Sequence, residues 1–355
     1  MARQRGAGID LVNDGEYGHS MGHRYDYGSW WAYAFQRLGG LELVDYEEFA
    51  ATRKPPKLGE IGLGGFERRR DMLLFDEAYA DPGSGAALPA ASLAAGLPVC
   101  RGPITYIGEA DVARDIANMK SALAAAGVET GYLNAVAPGS CARIGNEYYD
   151  DDVELLYACA DAMRNEYKAI LDAGLWLQLD DPGTAESWDQ IAPQPSVEEY
   201  RRYTMVRVEA LNHAIRDLPN ERIRYHLCWG SWHGPHVTDI ALADILEPIL
   251  AVNAACYSFE AANVRHEHEW RLWGGVGLPA GKQIMPGVVS HATNVVEHPE
   301  LVADRIVRFA ECVGRENVVA STDCGLGGRV HPQIAWAKLE ALAQGARLAS
   351  ERLWR

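Results

Sequence analysis

The sequence predicts an α/β fold, a single (β/α)8 barrel with a long N-terminal insertion over its mouth. Three observations lead there. Short apolar runs alternate with longer helical patterns along most of the 355 residues, which implies a parallel sheet. Eight such runs in one chain favour a closed barrel over an open sheet. Residues suited to metal binding and acid–base work fall at or just after the ends of those runs, where barrels of this class carry their active sites.

The runs read as strands are 9–12, 104–107, 132–136, 175–179, 223–228, 256–260, 284–289 and 318–322, all rich in β-branched, aromatic or aliphatic residues. Helical periodicity fills the spaces between them, at about 111–126, 152–172, 197–217, 241–252, 299–313 and 332–350. Residues 20–100 are rich in Gly, Pro and aromatics with weak periodicity. They read as an insertion over the barrel mouth, so the whole span 1–355 is expected to be one domain.

Bulk properties narrow the function. With 48% hydrophobic residues the chain can build a large core. Thirty-three basic against forty-nine acidic residues give a net charge of -16, which disfavours nucleic acid and anionic membranes as partners. The charge run from Glu67 to Asp71 reads as a solvated helix face. No apolar stretch approaches the roughly 20 residues of a membrane span, and the first residues lack an apolar leader segment. Seven scattered cysteines fit a reduced, cytoplasmic protein with free or metal-bound thiols better than a disulfide scaffold.

Four residues stand out at strand ends: His226, Cys228, Glu260 and Cys324. One imidazole, two thiolates and a carboxylate suit tetrahedral zinc. His226 and Cys228, two apart in a strand, share a face and can grip one ion. A buried pair of cysteines beside a hydrogen-bonded core histidine is the simpler alternative. Glu16, Asp180 and His291 also follow strand ends. Asp180 precedes Asp181-Pro182, an ordinary turn signal, and His291 could equally be a capping residue. Asp323 adjoins Cys324 and could orient a metal ligand or touch substrate. His233 and His236 read as exposed residues of a Gly-Pro loop, and the string Arg265–Trp270 as salt-bridged surface. The Gly-rich stretches 61–65 and 325–328 lack the strand, turn and helix setting of a dinucleotide site.

The ordered segments Val12-Asn13-Asp14-Gly15-Glu16, Leu177-Gln178-Leu179-Asp180-Asp181-Pro182, His226-Leu227-Cys228, Ser258-Phe259-Glu260, Gly287-Val288-Val289-Ser290-His291 and Thr322-Asp323-Cys324-Gly325 carry a resemblance. The chain resembles the catalytic barrel of cobalamin-independent methionine synthase and its short single-barrel relatives, over nearly its whole length. The resemblance implies a Zn2+ ion held by His226, Cys228, Glu260 and Cys324. It also implies amino-acid binding by Glu16 and Asp180, and a proton donated to the leaving group by His291. The implied reaction is zinc-dependent transfer of an alkyl group, methyl first, from a small-molecule donor to a thiol, with homocysteine as leading acceptor.

Three departures matter. The duplicated N-terminal barrel of the full-length synthases is not expected here, which points away from folate as donor. The loop 230–236 and the aromatic segment 23–35 look different from those enzymes, so a different donor is expected. Family members usually open with a further strand and helix, so one strand and helix are expected upstream of residue 1, with the run 104–107 as a flanking strand. The rival reading keeps zinc and resembles epoxyalkane–coenzyme M transferase, which opens an epoxide with a sulfonated thiol. A non-catalytic zinc or thiol module and a metal-free uroporphyrinogen-type decarboxylase are further alternatives.

Overall fold

In a computed structural model the chain is described over residues 1–16, 29–52, 69–86, 96–191 and 193–355. Strand β1 (Val12–Asn13) opens the main sheet. Strands β2 (Leu38–Val44) and β3 (Leu97–Tyr106) follow, then β4 (Gly131–Val136), β5 (Gly145–Asn146), β6 (Trp176–Asp180), β7 (Ile223–Leu227), β8 (Cys256–Phe259), β9 (Gln283–Val289) and β10 (Ser321–Thr322). Seven strands form one parallel sheet in the order β1-β4-β6-β7-β8-β9-β10, and β2, β3 and β5 form a separate three-stranded sheet.

The sheet is curled. Laid flat, its first and last strands would stand about 29 Å apart at a spacing of ~4.8 Å. Instead a Cβ placed on Gly325, just beyond β10, would lie 4.0 Å from Glu16 Oε1, just beyond β1. Among the described residues β1 and β10 do not pair, so the barrel has seven strands and a seam between them. The run 104–107 belongs to β3, antiparallel to β2 and outside the barrel, as expected of a flanking strand.

The helices follow from local sequence. Asp151 caps Asp152–Asp172 through bonds from Val153 N and Glu154 N, and the buried face recurs at Leu155, Leu156, Cys159, Met163, Tyr167 and Ile170. Ser196 and Glu199 form a reciprocal capping box at Val197–Ala214. The helix Glu109–Ala126 stops at Gly127, whose φ of 63° suits glycine. Pro299 and Pro332 open Pro299–Val313 and Pro332–Leu353, where a missing N–H costs nothing. No helix among the described residues is long and apolar enough to cross a membrane.

Of the span 20–100, the described parts are 29–52, 69–86 and 96–100. The Gly-rich stretch 61–65, residues 23–28 and Glu67-Arg68 lie outside the described residues. Residues 69–71 are not a solvated face. Arg69 and Asp71 are buried, because this segment docks on the loop that follows β7. The Arg69 guanidinium sits 3.6 Å over the Trp232 ring and pairs with Glu186. Asp71 accepts from His236 N at 3.0 Å, Val237 N at 3.2 Å and Tyr79 Oη at 3.2 Å.

Candidate metal centre and active site

Parallel register sets the site in rows. Val136, Asp180, His226, Ser258 and Met285 are neighbours across β4, β6, β7, β8 and β9. The row beneath holds Asn134, Gln178, Arg224, Cys256 and Gln283. Within the barrel, Arg224 lies 4.1 Å over the Tyr132 ring and donates to Met285 Sδ at 2.8 Å, which closes the space under the site.

His226, Cys228 and Cys324 bring one ligand atom each within 4.8 Å of one another. Ser258 Oγ engages His226 Nδ1 at 3.0 Å, leaving Nε2 for the thiols. This is the outer-shell support that orients metal-binding histidines. A hydrogen bond from Cys228 holds Cys324 well below the ordinary thiol range, and the same contact pushes Cys228 up. Burial alone would lower His226, but its bond to Cys324 and the charges of Cys324, Asp180 and Glu260 raise it to about 9. Two thiols and an imidazole whose ligand atoms meet within 4.8 Å are groups from which a divalent cation displaces protons on binding, so the donor set fits zinc.

Glu260, expected as the fourth ligand, lies in an adjoining group with His291 and Asp323, again within 4.8 Å. Its Oε1 accepts from Trp229 N at 3.0 Å and its Oε2 from Asn263 Nδ2 at 2.9 Å. Asp323 Oδ1 accepts from Ala261 N at 2.7 Å and Ala262 N at 2.8 Å, tying the Cys324 loop to the Glu260 loop. Burial, then repulsion from Glu260, pushes its carboxyl far up. Ser231 Oγ stands 3.3 Å from Cys324 Sγ and 3.5 Å from His291 Nε2. The buried His291 Nδ1 has no hydrogen-bond partner among the described residues.

Two carboxylates form the neighbouring wall. Asn134 Nδ2 donates to Asp180 Oδ2 at 2.8 Å and approaches Glu16 Oε1 at 3.5 Å, while Gln178 Nε2 donates to Asp180 Oδ1 at 2.9 Å. Glu16 sits at φ 58°, a left-handed conformation uncommon outside glycine, held by its N–H bond to Asp14 Oδ1 at 2.9 Å. Burial, then Asp180 and Cys324, push the Glu16 carboxyl up to about 8. Burial also raises Asp180. Asp181 is a turn residue within the fold, holding Ser140, Thr184 and Tyr225 at 2.7, 2.8 and 2.9 Å.

Sequence reasoning missed Asn134 and Ser231 and misread two histidines. His236 is buried and bound to Asp239 at 2.8 Å. The Arg265–Trp270 string is ion-paired but not simply surface: His266 is buried between Asp239 at 3.0 Å and Glu269 at 2.9 Å, and stacks on Trp229 at 3.8 Å. Asn134 carried a readable signal, a polar residue inside an apolar strand and in register with Gln178.

A parallel α/β barrel with a thiol, imidazole and carboxylate cluster at its strand ends defines a barrel with a candidate metal–thiol centre. The family described as cobalamin-independent synthase, catalytic domain, matches residues 93–347, and the chain belongs to that family. A methionine synthase of Saccharolobus islandicus is 25% identical over 213 residues, 59% of this chain and 55% of that protein. One of Thermococcus kodakarensis is 25% identical over 211 residues, 59% and 54% respectively. The chain therefore spans about half the length of the curated relatives it matches. Among solved structures, a B12-independent methionine synthase from Shewanella sp. W3-18-1 in complex with selenomethionine shares the fold. Its TM-score is 0.69 at 20% identity, covering 99% of this chain and 86% of that one.

Proposed function

We propose that this protein is a cobalamin-independent, zinc-dependent enzyme that transfers an alkyl group, methyl first, to the thiol of an amino acid, with homocysteine as acceptor. The observation that carries this reading is the meeting of the His226, Cys228 and Cys324 donors with the Glu16 and Asp180 wall near Cys324. His226, Cys228 and Cys324 would hold the zinc, with Glu260 beside them as the exchangeable fourth ligand. When bound, zinc supplies activation of the acceptor thiol, since coordination favours the nucleophilic thiolate at neutral pH.

The chain's own residues do the rest. Asp180, fixed by Asn134 and Gln178, and Glu16 receive the acceptor's ammonium group. Filling that space with a cation relieves the repulsion between the two carboxylates. His291 holds a proton at Nε2, next to Ser231 Oγ, for the group that leaves the donor. Asp323 keeps the Glu260 and Cys324 loops in register. A sulfonated thiol such as coenzyme M would bring an anion against Glu16 and Asp180, so the carboxylate wall favours an amino-acid thiol.

The test is calorimetric titration of the reduced, zinc-loaded chain with homocysteine, homoserine and coenzyme M. Binding of homocysteine at least tenfold tighter than of the other two supports the reading. Equal binding of homoserine would remove the role of sulfur, and tighter binding of coenzyme M would replace the acceptor.

A further inference from the structure

Arg329 lies in the turn beyond Cys324, shaped by its backbone bond from N to Leu326 O at 3.2 Å. Its Nε and Nη2 are buried and have no hydrogen-bond partner among the described residues. Guanidinium donors are strongly polar, and buried ones are nearly always satisfied. The charges that act on Arg329 are those of Cys324, Glu260 and Cys228. His233 is its neighbour, held below the ordinary histidine range by burial and then by Arg329 and His291. There is room at this place: a Cβ on Gly327 or Gly328 would meet nothing within 4 Å.

We propose that Arg329 binds an oxyanion (carboxylate, phosphate or sulfonate) carried by the alkyl donor, not by the thiol acceptor. The proposal rests on the alkyl-transfer reading. An amino acid carries its ammonium and carboxylate on one carbon, so a cation for the acceptor's carboxylate must stand beside Glu16 and Asp180. The groups acting most on Glu16 are Asp180, Cys324, Asp14 and His226, and those on Asp180 are His226, Asn134, Gln178 and Cys324. Arg329 is in neither set. Arg329 and His291 both act on His233, and Ser231 Oγ stands 3.5 Å from His291 Nε2, the proton source for the donor's leaving group. A planar guanidinium with two unused donors matches two oxygens of one anion.

The experiment uses the full, zinc-loaded chain and calorimetric titration with methylphosphonate, methanesulfonate and propionate, which separate the three anion sources. Wild type should bind at least one of them tenfold or more tighter than Arg329→Gln, with part of the loss recovered in Arg329→Lys. Arg308→Gln, which removes a surface charge, should match wild type. Zinc content and homocysteine affinity should be unchanged in Arg329→Gln. The proposal is overturned if no anion distinguishes the variant, or if homocysteine rather than the anion loses affinity. Failure of homocysteine to bind even wild type would remove the alkyl-transfer reading, and with it the donor assignment, whatever the anions do.

Discussion

Replacing Asp71 by alanine should free the loop that carries Ser231 and Trp232. Asp71 is fully buried and accepts from His236 N, Val237 N and Tyr79 Oη at 3.0, 3.2 and 3.2 Å. Not all three donors are stranded by its loss. Val237 is 39% exposed and its amide can reach water. Tyr79 is only half-buried, so its O–H can turn to water, while Oη still accepts from Trp232 Nε1 at 2.8 Å. The His236 amide is buried and left without an acceptor. At about 1 kcal/mol for each of the two lost bonds and for the orphaned amide, the loss amounts to about 3 kcal/mol. Asp71→Asn should cost about 1 kcal/mol, because its carbonyl can replace Oδ2, which serves both His236 and Tyr79. The assay is amide hydrogen exchange at His236 and Val237. Asp71→Ala should speed it about a hundredfold and Asp71→Asn about fivefold. An unchanged rate in the alanine variant, or equal damage from both, would refute the reasoning.

Other expectations follow from single contacts. Cys324→Ser should lower zinc affinity at least a hundredfold, read by competition with a chromophoric chelator, with the fold retained by circular dichroism. Asp180→Asn should weaken homocysteine binding about tenfold or more while leaving zinc content intact, read by calorimetry and metal analysis. Gly234→Ala should undock the 69–80 segment, since its Cβ would collide with Trp232 Nε1 and Tyr79 Oη, and limited proteolysis should then cut that segment faster. His266 supplies a pH test. Burial lowers it, but Asp239 and Glu269 outweigh burial and raise it to about 9. Its stabilisation is therefore complete below the unfolded value near 6.5 and fades as pH rises through about 9. Between about pH 6 and pH 10 wild type should lose about 3 kcal/mol more stability to urea than His266→Gln.

The barrel was legible because each strand run and helix announces itself locally. The helices 152–172 and 299–313 fall where the periodicity puts them. The run 104–107 was legible as a strand flanking the barrel but its partner was not, because that depends on antiparallel pairing with a distant strand, Leu38–Val44. The strand-end residues of the site share one end of the sheet because parallel strands all point the same way. That rule says nothing of distances, so it could not separate Glu260 from the His226, Cys228 and Cys324 trio. Arg69, Asp71 and His266 were read as surface because charge favours water. Their burial comes from docking against Trp232 and Trp229, contacts between segments far apart in the chain.

X-ray absorption at the zinc edge of the reduced, metal-loaded chain, with and without homocysteine, tests the central claim most directly. One zinc per chain should show two sulfur ligands from Cys228 and Cys324 and a nitrogen from His226, and homocysteine should add a third sulfur. Protein that takes up no zinc, or zinc whose sulfur count is unchanged by homocysteine, would contradict the account.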